Sequence, residues 1–191
     1  MRSYVLRAVG GLPPDDGRVT VRMLLPGAPA PGEIDGLAVI LVDATADGVS
    51  AGFLAPLTPH EAAQWWTRSL GQSQPRTWIA EHSGEIVGCV RLVPAAYPAD
   101  PHRADVVKLL VRTDHRGHGH GRDLMATLEE HAAATGRWLL TLTTETGRPA
   151  ETIYERWGWR RYGHLADHAA GPDGVPKATT FFAKRLTAPR A

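Results

Sequence analysis

The chain holds a single cysteine, Cys89, among 191 residues. One cysteine excludes an intramolecular disulfide framework and a cysteine-rich zinc site, and a reducing compartment is the natural setting for such a chain. No apolar run approaches the length of about 20 residues needed to span a bilayer. The apolar patch from Tyr4 to Val9 is too short for a signal peptide and ends in Pro-Pro-Asp-Asp-Gly. The expectation is therefore a cytoplasmic protein. Charge of one sign is missing as well, since 21 Lys+Arg against 20 Asp+Glu leave a formal charge of +1. That balance argues against a dedicated nucleic-acid binder and against a polybasic membrane protein. Glycine (20) and proline (15), by contrast, are more plentiful than an all-helical bundle would carry.

The hydrophobic share of 43% is enough for the core of one domain. Residues 1–17 read as an N-terminal extension, and 18–191 as one domain. Val19 to Leu25 reads as a strand. Glu33 to Ala46 places Ile34, Leu37, Ala38, Leu41 and Thr45 at helical spacing, although Leu37 to Val42 alone could pass for a buried strand. Thr58 with Glu61 three residues later forms a capping-box signal for a helix carrying Trp65, Trp66 and Leu70. Arg76 to Glu81 and Glu85 to Val93 are strands joined at His82-Ser83-Gly84. Asp105 to Arg112 is a buried-type strand. It runs through a glycine-rich turn into a helix with Leu124, Met125, Leu128 and Ala132 on one face, stopped by Gly136. Trp138 to Thr143 is the next strand, followed by a helix from Pro149 to Trp157. Trp159 to Leu165 and Thr179 to Leu186 close the domain around a turn at Gly171 to Gly174. The expected order is β-α-α-β-β-β-α-β-α-β-β, an α/β fold.

The most informative segment is Val111 to Arg122, VRTDHRGHGHGR. A strand that enters alternating glycines and then a helix makes a phosphate cradle, because glycine lets the backbone approach closely and the first N–H groups of a helix lack partners. A P-loop requires Lys-Ser/Thr after the last glycine, and here Arg122-Asp123 follows Gly121. A dinucleotide fingerprint requires a further glycine at Arg122 or Leu124, and neither is glycine. Arg116-x-x-Gly119-x-Gly121 remains.

This motif resembles the acyl-CoA pyrophosphate motif of the GNAT acetyltransferase superfamily, and the element order matches that family's mixed central sheet. A second motif agrees: Ala150 to Trp159 places Tyr154 on a helix that ends in Gly158-Trp159. The resemblance covers about Val19 to Leu186. Pro101 to Ala104, Pro172 to Gly174, Ala178 to Phe182 and Lys184 are most similar to the tabtoxin-resistance branch. The family implies acetyl-CoA as co-substrate. It implies that the amides of Gly117, His118, Gly119, His120, Gly121 and Arg122 take the pyrophosphate, and that the edge of Leu109, Leu110 and Val111 pairs with the pantetheine arm. Arg112, Arg116 and Arg122 would add positive charge. By the same resemblance Tyr154 is the acid for the leaving sulfur.

An amine of pKa about 10.4 must lose its proton before it attacks, at a cost on the order of 4–5 kcal/mol at pH 7. A base is therefore wanted. Relatives in the tabtoxin-resistance branch often carry Asp where this chain has Thr143, which cannot serve. Asp105, Glu145 and His168 are the remaining candidates. His115, His118 and His120 do not follow a familiar zinc spacing, and no metal is expected. The implied activity is N-acetylation of a small amine, an antibiotic or toxin among the options, by direct attack in a ternary complex. Acetylation of a protein amine, which would favour an acidic groove, and acyl-CoA binding without turnover are the alternatives. No nucleic acid and no membrane are expected as partners. The oligomeric state is open between monomer and homodimer.

Overall fold

A computed structural model describes residues 19–25, 27 and 29–187. The N-terminal extension assigned to residues 1–17 lies outside the described residues. Every element expected from residue 18 onward is present and in order: β1 Thr20–Met23, α1 Pro31–Ala46, α2 Pro59–Leu70, β2 Arg76–His82, β3 Glu85–Pro94, β4 Arg103–Val111, α3 His120–Ala134, β5 Leu139–Glu145, α4 Pro149–Arg156, β6 Arg160–Ala170 and β7 Pro176–Arg185. A short 3-10 turn, Thr113–His115, separates β4 from α3.

The ambiguous run Leu37 to Val42 lies within α1. Leu37, Ile40, Leu41 and Ala44 are buried while Val39 is half exposed, the i, i+3, i+4, i+7 pattern of a helix with one apolar stripe. The Glu33 carboxylate turns back to accept from the N–H of Ala30 at 2.7 Å and closes the first turn. In α2 the capping box forms as its sequence predicts. Thr58 Oγ1 accepts from the Glu61 N–H at 3.2 Å, and the Glu61 carboxylate accepts from the Thr58 N–H at 2.9 Å.

Among the described residues seven strands form one sheet in the order β1-β2-β3-β4-β5-β7-β6. All neighbours are antiparallel except β4 and β5. One core packs α3 and α4 on one face, around Leu124, Leu128, Tyr154 and Phe182. The second packs α1 and α2 on the other, around Leu37, Leu41, Trp66 and Ile79.

The closing hairpin is longer than expected, because β6 continues to Ala170 and β7 begins at Pro176. Nearly all of β6 is exposed, so it lacks the apolar alternation that marks a strand in a sequence.

Two irregularities position the site. Cys89 faces Leu110 while Arg91 faces Val107, so β4 has one residue more than β3 across this stretch. The bulge contains Lys108, whose φ is +56°. β4 also pairs with β5 only from Arg103 to Asp105, opposite Leu139 to Thr141. Beyond Asp105 each strand continues on its outer partner alone, β4 on β3 and β5 on β7. The sheet parts into a wedge there. Among the described residues no helix is long and apolar enough to cross a membrane.

Trp66 is fully buried between the helices and the sheet. Trp66→Ala is expected to cost about 3–5 kcal/mol, read as a lowered urea midpoint with an unchanged slope.

Candidate active site

The glycine turn folds as a cradle. Gly117 (φ +83°) and Gly119 (φ +91°) lie in the left-handed region, and a Cβ at either would meet nothing within 4 Å. Conformation, not crowding, requires glycine there, and the space beyond is open. Gly121 differs: its Cβ would make ordinary contacts with Trp157 and Val111 at 3.6 and 3.7 Å, so this third glycine is not sterically demanded. Among the described residues, the N–H groups of residues 117 to 121 have no hydrogen-bond partner. Gly119 caps α3, so these donors sit at the positive end of a 15-residue helix dipole.

The three arginines differ from expectation, because two are already paired. Arg116 Nη1 meets Asp47 at 2.6 Å and its Nε donates to the Val111 carbonyl at 3.1 Å. Arg112 forks onto Asp114 at 2.7 and 3.0 Å and reaches Glu85 at 2.9 Å. The Arg112 guanidinium holds the Asp114 carboxyl below its usual value. Arg122 is exposed and forms no ion pair among the described residues. One helical turn before Asp47, Asp43 accepts from the Thr113 N–H at 2.9 Å and from its hydroxyl at 2.8 Å. The end of α1 thereby ties down the turn that follows β4.

The histidines are less free than alternating glycines suggest. His120 is buried in the first turn of α3, with the rings of His82, His115 and His118 centred 6.4, 6.2 and 5.8 Å away. Burial, and then the neighbouring His118, His115 and His82, push its pKa down. No three metal-ligating side chains of the described residues are grouped so as to hold an ion.

Leu109, Leu110 and Val111 lie past the parting point. Leu110 is buried on the α1/α2 side, while Leu109 and Val111 pack toward the α3/α4 core. Tyr154, from α4, is buried among Phe182, Trp157 and Trp159, with ring centroids at 5.7, 6.1 and 6.1 Å. Burial pushes its phenol up to about 12, so it keeps its proton at neutral pH.

The three base candidates do not converge. Asp105 forms the last β4–β5 pair, opposite Thr141, and accepts a hydrogen bond from the Thr141 hydroxyl at the apex of the wedge. Glu145 lies four residues further along β5, roughly 13 Å at the usual rise per residue, and pairs with Arg148 at 3.8 Å. His168 is an exposed residue of β6 whose ring stands 5.1 Å from Phe181, the β7 partner of Thr143.

Two groups that the sequence reading overlooked lie on the α1/α2 side of the wedge. The Lys108 ammonium donates to the Ala51 carbonyl and sits 5.2 Å from the Phe53 ring and 4.9 Å from that of Trp65. Arg91 is only 3% exposed and donates to both the hydroxyl and the carbonyl of Ser69. Each is a lone cation in an otherwise apolar strand (VVKLLV and IVGCVRLV), which is the signal that could have found them. The α1–α2 loop over them is held from three directions. Arg148 donates to the Gly48 carbonyl, the Ser50 hydroxyl to the Ala170 carbonyl at 3.2 Å, and the Ala55 N–H to the Pro172 carbonyl at 2.8 Å.

The sequence profile of the acetyltransferase (GNAT) family matches residues 43–159. The chain belongs to the GNAT family. The rat N-acetyltransferase family 8 member 2 (Rattus norvegicus) is 27% identical over 100 residues, which is 51% of this chain and 44% of that protein. The chain thus spans less than half the length of that relative. Among solved structures, ribosomal-protein-alanine N-acetyltransferase from Brucella melitensis superposes with TM-score 0.72 at 23% identity, covering 87% of this chain and 99% of that one. The Salmonella typhimurium acetyltransferase yncA, solved with acetyl-CoA, gives 0.71 at 16% identity over 91% and 97%. At these identities the likeness shows the fold.

The residues present fit acetyl-CoA. Five unengaged N–H groups at a helix start suit a pyrophosphate, and the β4 edge freed beyond Asp105 offers backbone pairing to an extended arm. Gly119→Ala forces a side chain into the left-handed region at about 1–2 kcal/mol. CoA affinity by calorimetry is expected to fall at least tenfold. Separately, the folded pKa of His120 lies below the unfolded 6.5, so the unfolded chain takes up this proton first. The contribution is full above pH about 6.5 and is lost as pH falls through the depressed folded value. Urea unfolding of His120→Gln is expected to show a shallower loss of stability across that range.

Proposed function

We propose that the chain transfers the acetyl group of acetyl-CoA to the amine of a small molecule, by direct attack within a ternary complex. The observation that carries this reading is the wedge. A single strand, β4, ends in the unengaged N–H cradle and also presents a free edge and the Lys108 bulge beside the α1–α2 loop. Both substrates can therefore be addressed from one strand.

Acetyl-CoA supplies an acetyl group already activated as a thioester, and the chain's residues do the rest. Direct attack is favoured because the chain offers no thiol to carry the acetyl group. Cys89, its only cysteine, is fully buried, and burial raises its thiol to about 12. It donates instead to the Lys108 carbonyl at 3.4 Å. Tyr154 holds its proton and acts as the donor toward the leaving sulfur. With a phenol near 12 and a thiol near 8.5, full transfer is uphill, so its contribution is a hydrogen bond strengthened as charge develops on sulfur. Of the base candidates we favour Asp105, the one at the apex of the wedge, as acceptor of the amine proton. Glu145 is engaged by Arg148, and His168 stands on the outer hairpin.

The small-molecule preference rests on the similarity to the tabtoxin-resistance branch and on charge. Arg68, Arg91 and Lys108 line the acceptor side, where a lysine-bearing peptide would want acidic groups. The lone buried thiol agrees with a cytoplasmic setting.

Release of free thiol from acetyl-CoA across an amine panel tests the reading. Acceptor-dependent release is expected, with kcat/KM rising from pH 6 to 9 as the amine deprotonates. CoA binding without release from any amine would leave a binding domain instead. Tyr154→Phe is expected to lower kcat about 10- to 100-fold while the acetyl-CoA Kd stays within about twofold. Unchanged turnover from pH 6 to 9 would remove Tyr154 from the mechanism. Asp105→Asn is expected to lower kcat/KM at least tenfold at pH 7, with a smaller deficit at pH 9.

A further inference from the structure

A cavity of about 510 Å³ opens between the end of α2 and strands β3 and β4, lined by Trp65, Arg68, Ser69, Arg91, Val107 and Lys108 among others. Three of these residues are cations and no lining residue is acidic. None of the three is paired with a carboxylate among the described residues. Arg91 is the decisive group. It is 3% exposed, both its terminal nitrogens are used on Ser69, and its Nε has no partner. A buried guanidinium with no counter-ion is costly, and the cavity that Arg91 lines with Arg68 and Lys108 offers room for an anion from outside the chain.

We propose that this cavity recognises a carboxylate on the acceptor, so that the amine acetylated belongs to a molecule of the amino-acid class. The proposal rests on the acetyltransferase reading and names the substrate class for the same site.

The electrostatics agree. Burial pushes the pKa of Arg91 down, and burial together with the Arg91 charge pushes that of Lys108 down. An incoming anion relieves both at once. Lys108 spends one of its three N–H groups on the Ala51 carbonyl, leaving donors for a ligand. The volume lies within the ordinary range for small-molecule sites and holds one amino acid or a dipeptide. The position is right as well. Arg91 pairs in register with Val107 on β4, two residues beyond Asp105, so a bound carboxylate would lie beside the strand that borders the wedge. The neighbouring cavity shares Trp65 and Arg68 and contains Glu61, but that carboxylate is committed to the Thr58 cap.

The test uses the full chain saturated with CoA and the twenty L-amino acids, each beside its own α-carboxamide. The two members of a pair share a side chain and an amine and differ in the charge at issue. Calorimetry is expected to show at least one free acid bound tenfold or more tightly than its carboxamide. Arg91→Met is expected to reduce that ratio to within about threefold. Arg91 is buried, so Val107→Glu serves as a second variant. At 37% exposure it tolerates the change and sets a carboxylate of the chain itself beside Arg91; it too is expected to abolish the preference. Carboxamides bound as tightly as acids, no acid bound at all, or a preference that survives both variants would each overturn the proposal. Thiol release on the same pairs separates this idea from the one beneath it. Release with carboxamides as good as with acids overturns the carboxylate site and keeps the acetyltransferase. Acid-selective binding without any release keeps the site and overturns the acetyltransferase.

Discussion

The structure turns on one break in hydrogen bonding, the parting of β4 from β5 after Asp105. A central strand that loses its neighbour exposes backbone groups that must find other partners. Here the loss is local and compensated. β4 stays on β3 through a bulge at Lys108, the Cys89 thiol donates to the Lys108 carbonyl in that bulge, and β5 stays on β7 along its whole length. The wedge thus deprives Val106 to Val111 of β4 and Leu142 to Glu145 of β5 of each other without breaking the sheet, and the edge it frees is the one available to an extended ligand.

The cradle and the α1/α2 side of the wedge are not independent. The last turn of α1 and the residues after it reach both. Asp43 and Asp47 hold Thr113 and Arg116 of the glycine turn, and Gly48 and Ala51 accept from Arg148 and Lys108 on the α1/α2 side. A segment of nine residues fixes the spacing between the two half-sites. It also means that Arg116 is not a free cation awaiting phosphate. Its attraction for a pyrophosphate competes with a 2.6 Å contact to Asp47, which leaves the unengaged N–H groups as the less conditional part of the cradle.

The order of elements was legible because each carried its own local signal: the apolar stripe of α1, the Thr58–Glu61 cap of α2, and the glycines that separate β4 from α3. The glycine turn was legible for the same reason, since positive φ and unpaired N–H groups are properties of a contiguous segment. What escaped was non-local. The length of β6 could not be read, because an exposed strand has no apolar alternation and is defined by its pairing to β7. The bulge at Lys108 depends on register against β3. The roles of Arg91 and Lys108 depend on α2 and on a loop 22 and 57 positions away. Tyr154, Asp105, Glu145 and His168 could be nominated from the sequence, but their places in the sheet could not: Asp105 at the last β4–β5 pair, Glu145 at the far end of β5 and His168 on β6.

The contacts that hold the α1–α2 loop in place end on the carbonyls of Gly48, Ala51, Ala170 and Pro172, which are main-chain atoms. Their strength does not depend on which side chains those positions carry. Apart from Ser50, whose hydroxyl is itself a donor, and Gly48, Gly52 and Gly174, whose φ values are positive, residues of the loop and the hairpin tip can change while the attachment to Lys108, Arg148 and each other persists. Attachment is thus carried mainly by main-chain atoms and surface shape by the side chains of the same segment, so the surface can change without the attachment being rebuilt.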